Sequence, residues 1–230
     1  ADFKTFWPAN VQVIGKDILR FHAAIWPAML MGLGLPLQKT LYVHGHIGID
    51  GQKMSKSLGN VISPHEIIDK YGVDAFRYFF ARHISSVEDG DFSWEKFETA
   101  YNSELANGLG NLVNRSLSML KRYRQGILPQ RSDELALESD KAVAAVKKEL
   151  LEFQLQSALE SIWKLITRAN QYVDQTAPFK LAKDPAQAAR LDEVLYNLAE
   201  VCRVLAVLLW PFIPGTSERI YAQLGLGGVP

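Results

Sequence analysis

Residues 51–60 read Gly-Gln-Lys-Met-Ser-Lys-Ser-Leu-Gly-Asn, with Lys53 and Lys56 three apart between two glycines. Flanking glycines permit a mobile loop. Two ammonium groups on such a loop can reach one polyphosphate together, with Ser55 and backbone N–H groups adding donors. That chemistry suits nucleotide activation. Transfer of a nucleotidyl group develops negative charge on the α-phosphate and on the departing pyrophosphate, and cations held where that charge appears lower the barrier. Lys53 and Lys56 are therefore expected to stabilise charge and not to move protons. The bland alternative is a solvated Lys/Ser loop. In a chain of this length the pentapeptide at 53–57 arises by chance on the order of one time in ten thousand, which favours the functional reading.

A second group stands at helical spacing. Asn111 and Arg115 are four residues apart in a segment of helical pattern, so an amide and a guanidinium project from one face and can read base edges together. Phe179, after Ala177-Pro178, is an aromatic able to stack on an unpaired base, or else a core side chain at a helix end. Lys121, Arg122, Arg124 and Arg131 make a basic stretch that suits RNA backbone and a solvated helix end about equally.

The elements that must position these residues are of two kinds. Up to residue 62, β-type runs at Val11 to Ile14, Leu41 to His44 and Ile47 to Ile49 surround one helical run from Asp17 to Met31. This is the βαβ rhythm of a parallel sheet. Ile18, His22, Ile25 and Met29 fall at i, i+4, i+7 and i+11 of the helical run and are expected to share a buried face, with Gly32 and Gly34 ending it. From 63 to 98 the elements are shorter, with a helix expected after Ser63-Pro64, an N-cap and a first-turn proline. Beyond residue 98 the pattern is helical throughout: about 96 to 124, 140 to 176, 186 to 209 and 216 to 224. Ile162, Leu165, Ile166, Ala169, Tyr172 and Val173 make one apolar stripe, and Leu191, Val194, Leu195, Leu198, Val201 and Leu205 another. The expected fold is thus α/β followed by all-α: the second half of a nucleotide-binding fold (1–62), a connecting unit (63–98) and a helical bundle (99–230).

Composition narrows the rest. With 25 basic against 25 acidic residues, total charge announces no nucleic-acid partner, and 48% apolar residues suffice for a core. The single cysteine, Cys202, lies in an apolar periodic run and is expected to be a buried thiol, which favours a reducing compartment. The most apolar run, 204–213, is about half a membrane span, so no membrane association and a cytosolic location are expected. Ala1 stands where an initiator Met would, and a strand follows almost at once, as expected of a piece of a longer chain.

The segment from Lys53 to Ser57 is identical to the KMSKS signature of class I aminoacyl-tRNA synthetases. Around it, Ile14-Gly15-Lys16-Asp17-Ile18-Leu19-Arg20-Phe21-His22 and Trp26-Pro27-Ala28-Met29-Leu30 resemble the stretch before that loop in the methionyl-tRNA synthetases. Asn107 to Arg115 (NGLGNLVNR) and Tyr172 to Lys183 (YVDQTAPFKLAK) resemble two helices of that family's anticodon domain. The resemblance spans nearly the whole chain. It implies a Rossmann-like fold carrying the KMSKS loop, and ATP-dependent joining of methionine to tRNA with a CAU anticodon, ATP arriving with Mg2+ as a substrate. Gly15 and Asp17 match positions that contact the ATP ribose, and Ile47 one near the adenine. Lys53, Ser55 and Lys56 match the phosphate loop. Ile18 and His22 match residues of the methionine side-chain pocket. Asn111 and Arg115 match the anticodon-reading pair, while Phe179 stands where the resemblance implies tryptophan.

The run His44-Gly45-His46-Ile47-Gly48 looks like the other class I signature, HIGH, but it directly precedes the KMSKS loop on a β-type segment and is not that element. The resemblance puts HIGH, and an inserted zinc-bearing module, upstream of Ala1. Catalysis by this chain alone is accordingly expected to be absent, and an unpaired sheet edge is expected to invite self-association. Two alternatives stand beside this reading: another class I synthetase such as the cysteine, valine, isoleucine or leucine enzyme, and a non-catalytic tRNA-binding module descended from a synthetase.

Overall fold

The structure is a computed structural model and describes residues 2–53 and 62–230. It divides into two compact units that interleave in sequence: residues 1–61 with 84–93, and residues 62–83 with 94–230.

In the first unit a short helix, α1 (Phe3–Phe6), precedes β1 (Val11–Gly15), which pairs in parallel with β2 (Thr40–His44), Val11 opposite Thr40 and Gly15 opposite His44. Branched side chains favour these strands, and a parallel pair requires the crossover that residues 16–39 supply. That crossover is not the single α-helix expected. Lys16–Ile18 form a 3₁₀ turn, Phe21–Ile25 a π-helical turn, and only Trp26–Gly32 (α2) is regular. The change of helical period breaks the expected apolar face. Ile18, Ile25 and Met29 are exposed, at 38, 46 and 54%, His22 is half-buried, and Leu30 is the buried residue of α2.

The third strand also departs from expectation. β3 (Ile47–Ile49) does not extend the parallel pair; it turns at Asp50-Gly51 into β4 (Gln52–Lys53), antiparallel, and on its other side pairs in parallel with β5 (Gly90–Phe92). Asp50 and Gly51 have φ of 49° and 76°, the left-handed pair that a two-residue Asp-Gly hairpin requires. The hairpin signal at 50–51 therefore outweighs continuation of the sheet. Among the described residues, Ile14, Leu30, Ile49, Ile84 and Phe92 are the buried large apolar side chains of this unit.

The second unit is helical. α3 (Pro64–Tyr71) starts as expected, with Ser63 Oγ accepting from His65 N–H and Pro64 in the first turn. α4 (Val73–His83), α5 (Trp94–Ala100), a π-helical stretch Tyr101–Gly110 and α6 (Asn111–Arg124) follow. The expected helix over 140–176 is two helices, α7 (Ala136–Leu151) and α8 (Leu155–Thr176), reversed at Phe153 with φ 59°. No glycine or proline marks the break. Reversal is what lets Ala142 and Val146 of α7 share a core with Leu159, Ile162 and Leu165 of α8. Beyond Thr176 come α9 (Pro178–Leu181), α10 (Ala188–Leu209) and α11 (Pro214–Gln223). Both apolar stripes expected from sequence are buried to 3% exposure or less, and they form the centre of the bundle. Cys202 is buried among them, and burial pushes its thiol up to about 12.

α4 is bound to the far end of the bundle by charged side chains. Arg77 donates to the carbonyls of Phe212 (2.9 Å) and Pro211 (2.6 Å), and Asp74 accepts from the N–H groups of Gly215 and Thr216 and from Thr216 Oγ1. α11 has no side-chain cap of its own at Ile213, so Asp74 satisfies its first orphan donors from another helix. Asp74→Ala should lower unfolding stability by about 1 to 3 kcal/mol, read as a lower denaturant midpoint at unchanged slope. An unchanged midpoint would mean that solvent caps α11 equally well.

Candidate nucleotide and anticodon sites

Parallel strands present their C-terminal ends as the natural ligand edge of an open α/β sheet. At that edge of the first unit lie Gly15, the last residue of β1, and His44, the last of β2, directly opposite each other. Asp17 follows in the 3₁₀ turn with its side chain 65% exposed. A Cβ on Gly15 would stand 2.7 Å from Asp17 Oδ1, so the missing side chain is what lets the carboxylate fold back over the strand end. His46 Nε2 lies 3.8 Å from the same oxygen. Ile47 opens β3 beside it and is half-buried.

The segment returning from α4 to β5 adds two carboxylates. Asp89 takes Lys16 Nζ on Oδ2 at 2.5 Å and the N–H of His46 on Oδ1 at 2.7 Å; Lys16 first, and then the His46 N–H, holds it below the usual carboxylate range. Asp91 Oδ1 accepts from the N–H of Gly51 at 2.7 Å, at the hairpin turn that leads to Lys53. Lys53 lies in β4 by its backbone. Its side chain, and all of Ser55 and Lys56 in residues 54–61, lie outside the described residues. Ile18 and His22 are adjacent turns of the crossover, where His22 Nδ1 is 3.0 Å from the Ile18 carbonyl; a carbonyl only accepts, so Nδ1 carries the proton.

In the helical unit, Asn111 and Arg115 project from α6 as their spacing requires. Asn111 Nδ2 reaches Asn107 Oδ1 at 3.4 Å, and Arg115 Nη2 donates to Asp174 Oδ1 at 2.9 Å. Asp174 belongs to the last turns of α8, and Phe179 follows in α9 after Ala177, whose φ of 44° turns the chain. The Arg115–Asp174 pair thus ties α6 to the helix end from which Phe179 emerges. Phe179 is 47% exposed and is not a core aromatic. Arg124 pairs with Asp192 and so ties α6 to α10, whereas Arg131 pairs with its near neighbour Asp133 at the surface. A cavity of about 660 Å³ between α4, the π-helical stretch and α11 contains none of the expected site residues.

Sequence reasoning misses Asp89, Asp91 and Asp174. The acidic run at 88–91 and the i, i+4 spacing within 107–115 are visible in the chain, but nothing local tells which carboxylate faces which partner 40 or more residues away.

Residues 1–117 match the family model described as tRNA synthetases class I (M), and residues 134–228 match that of the anticodon-binding domain of tRNA ligase. The methionine–tRNA ligase of Caldanaerobacter subterraneus subsp. tengcongensis is 47% identical over 97% of this chain, and that of Bacillus subtilis 42% identical over 97%. The chain spans only 36 and 35% of those two relatives. Among solved structures, Mycobacterium tuberculosis methionyl-tRNA synthetase bound by methionyl-adenylate superposes with a TM-score of 0.93 at 37% identity, over 98% of this chain and 46% of that one. By these matches the chain belongs to the methionyl-tRNA synthetase family, the class I tRNA synthetases (M).

Proposed function

We propose that this chain contributes the KMSKS loop and the anticodon-reading helices to ATP-dependent attachment of methionine to its tRNA, in a cytoplasmic enzyme. What supports the reading is that Gly15 ends β1, that Asp17 follows it with Oδ1 3.8 Å from His46 Nε2, and that His46 precedes Ile47 in the strand whose hairpin leads to Lys53. There Asp17 accepts from the ribose hydroxyls, with Gly15 allowing close approach and Ile47 flanking the adenine. Ile18 and His22 line the methionine side-chain pocket, Ile18 exposed and His22 half-buried. Lys53, Ser55 and Lys56 hold the polyphosphate, and the lysines stabilise the charge that grows as the methionine carboxylate attacks the α-phosphorus and pyrophosphate leaves. Mg2+ comes with ATP. Among the described residues no group of His, Cys, Asp or Glu is placed to hold a metal ion. No described helix is long and apolar enough to cross a membrane. By function the chain divides at 1–62, 63–98 and 99–230, catalytic, connecting and anticodon-binding.

Recognition of the CAU anticodon falls to Asn111, Arg115 and Phe179. Arg115→Ala should cost about 1 to 3 kcal/mol in binding methionine tRNA and little against a tRNA of altered anticodon, since only the first presents the base that the guanidinium reads. The measurement is a two-by-two comparison at one fixed salt concentration. Equal losses on both tRNAs would make Arg115 a phosphate contact, and no loss on either would return it to a solvated helix face.

A further inference from the structure

We infer that Asp89 is a positioning residue for the nucleoside half of the ATP site, an inference that rests on the nucleotide reading of Gly15, Asp17 and Ile47. Its two carboxylate oxygens hold groups from two different stretches of chain, a side-chain ammonium and a backbone N–H. Oδ2 holds Lys16 Nζ, and Lys16 stands between Gly15 and Asp17, the ribose side. Oδ1 holds the N–H of His46, and His46 directly precedes Ile47, the adenine side. One side chain therefore links the two stretches between which a nucleoside lies, through the Lys16 ammonium on one side and the His46 N–H on the other. The same His46 brings its imidazole within 3.8 Å of Asp17 Oδ1, so displacing its backbone displaces the neighbour of the ribose carboxylate.

The carboxylate is presented by backbone closely packed on the segment before β3. Gly90 N–H donates to the His46 carbonyl at 2.8 Å, making a two-point clamp with the His46 N–H on Asp89. A Cβ on Gly45 would stand 2.0 Å from the Glu88 carbonyl oxygen, and a Cβ on Gly90 would stand 2.4 Å from Ile84 Cγ2. Glu88 is thus packed onto the β2–β3 connection closely enough that only glycine fits at 45, and Gly90 packs as closely on Ile84 within its own segment. Two residues on, in β5, Asp91 holds the Gly51 N–H at the start of the hairpin that leads to Lys53.

A purely structural carboxylate would act through stability. Asp89 is 57% exposed and its ion pair lies at the surface, a setting in which ion pairs add little to stability. Its loss should therefore appear in the ATP site and not in the melting curve. In the full-length protein, Asp89→Asn is expected to raise KM for ATP by about three- to tenfold in methionine-dependent ATP–pyrophosphate exchange, the size of one hydrogen bond, with KM for methionine and Tm unchanged. Lys16→Met should do the same, and the double variant should add little beyond either single one. The ribose supplies the discriminating arm. Wild type should use 2′-deoxy- and 3′-deoxy-ATP less well than ATP, and Asp89→Asn should narrow that preference. Equal rises in both KM values, or a Tm loss that accounts for the defect, would overturn the assignment. If Asp17→Asn abolishes the ribose preference while Asp89→Asn leaves it whole, Asp89 alone is refuted. If Asp17→Asn leaves the preference intact, the nucleotide reading falls and takes this inference with it.

Discussion

Lys56→Ala in the full-length protein is expected to slow adenylate formation by about 10²- to 10³-fold, the usual loss when one preorganised group facing developing charge is removed. The methionine dissociation constant should stay within about twofold, because an interaction made only in the transition state does not enter ground-state binding. Lys56 itself lies outside the described residues, so the expectation stands on the spacing of two lysines and on the hairpin that launches them. That hairpin is well anchored: Asp50-Gly51 make the tight turn, and Asp91 holds the Gly51 N–H at 2.7 Å. Single-turnover formation of methionyl-adenylate separates the two quantities. A rate equal to wild type would remove Lys56 from the chemistry, and a lost methionine affinity with an intact rate would make it a binding residue.

Ile162→Ala should destabilise the helical unit by about 2 to 5 kcal/mol. Ile162 is fully buried on α8, within the cluster that also takes Leu159, Ile166, Val194 and Leu198, and truncation leaves a cavity that packed helices close only partly. Against a typical total of about 5 to 15 kcal/mol that is a large fraction, so unfolding by urea should shift visibly at unchanged slope. Gln171, exposed on the same helix, is the control: Gln171→Ala should change stability by no more than about 0.5 kcal/mol. Similar losses for the two variants would show that the buried face of α8 is not what holds the bundle.

The elements that rest on local pattern are legible in the amino-acid sequence by itself. Stripes at helical spacing put α8 and α10 in the core because burying a continuous apolar face is the only way either helix gains from packing. Ser63-Pro64 announces α3 because a hydroxyl and a proline satisfy first-turn demands within three residues. The strand runs of β1, β2 and β3 show in their branched residues, and Asn111 shares a face with Arg115 because 3.6 residues per turn leave no other outcome.

The tertiary structure alone decides three things. Residues 16–32 change from 3₁₀ to π to α, so that Ile18, Ile25 and Met29 face out although their spacing reads as a buried stripe; a helical period inferred from sequence assumes that the helix is regular. The chain reverses at Phe153 with no breaker present, because burial of α7 against α8 outweighs continuation of a good helical sequence. Most consequential for the sites, Asp89 meets Lys16 across 73 residues and Asp174 meets Arg115 across 59. Residue type and spacing name the groups that can do the chemistry. Their carboxylate partners come from distant segments, and a pairing across such a separation exists only once the fold has closed the loop between them.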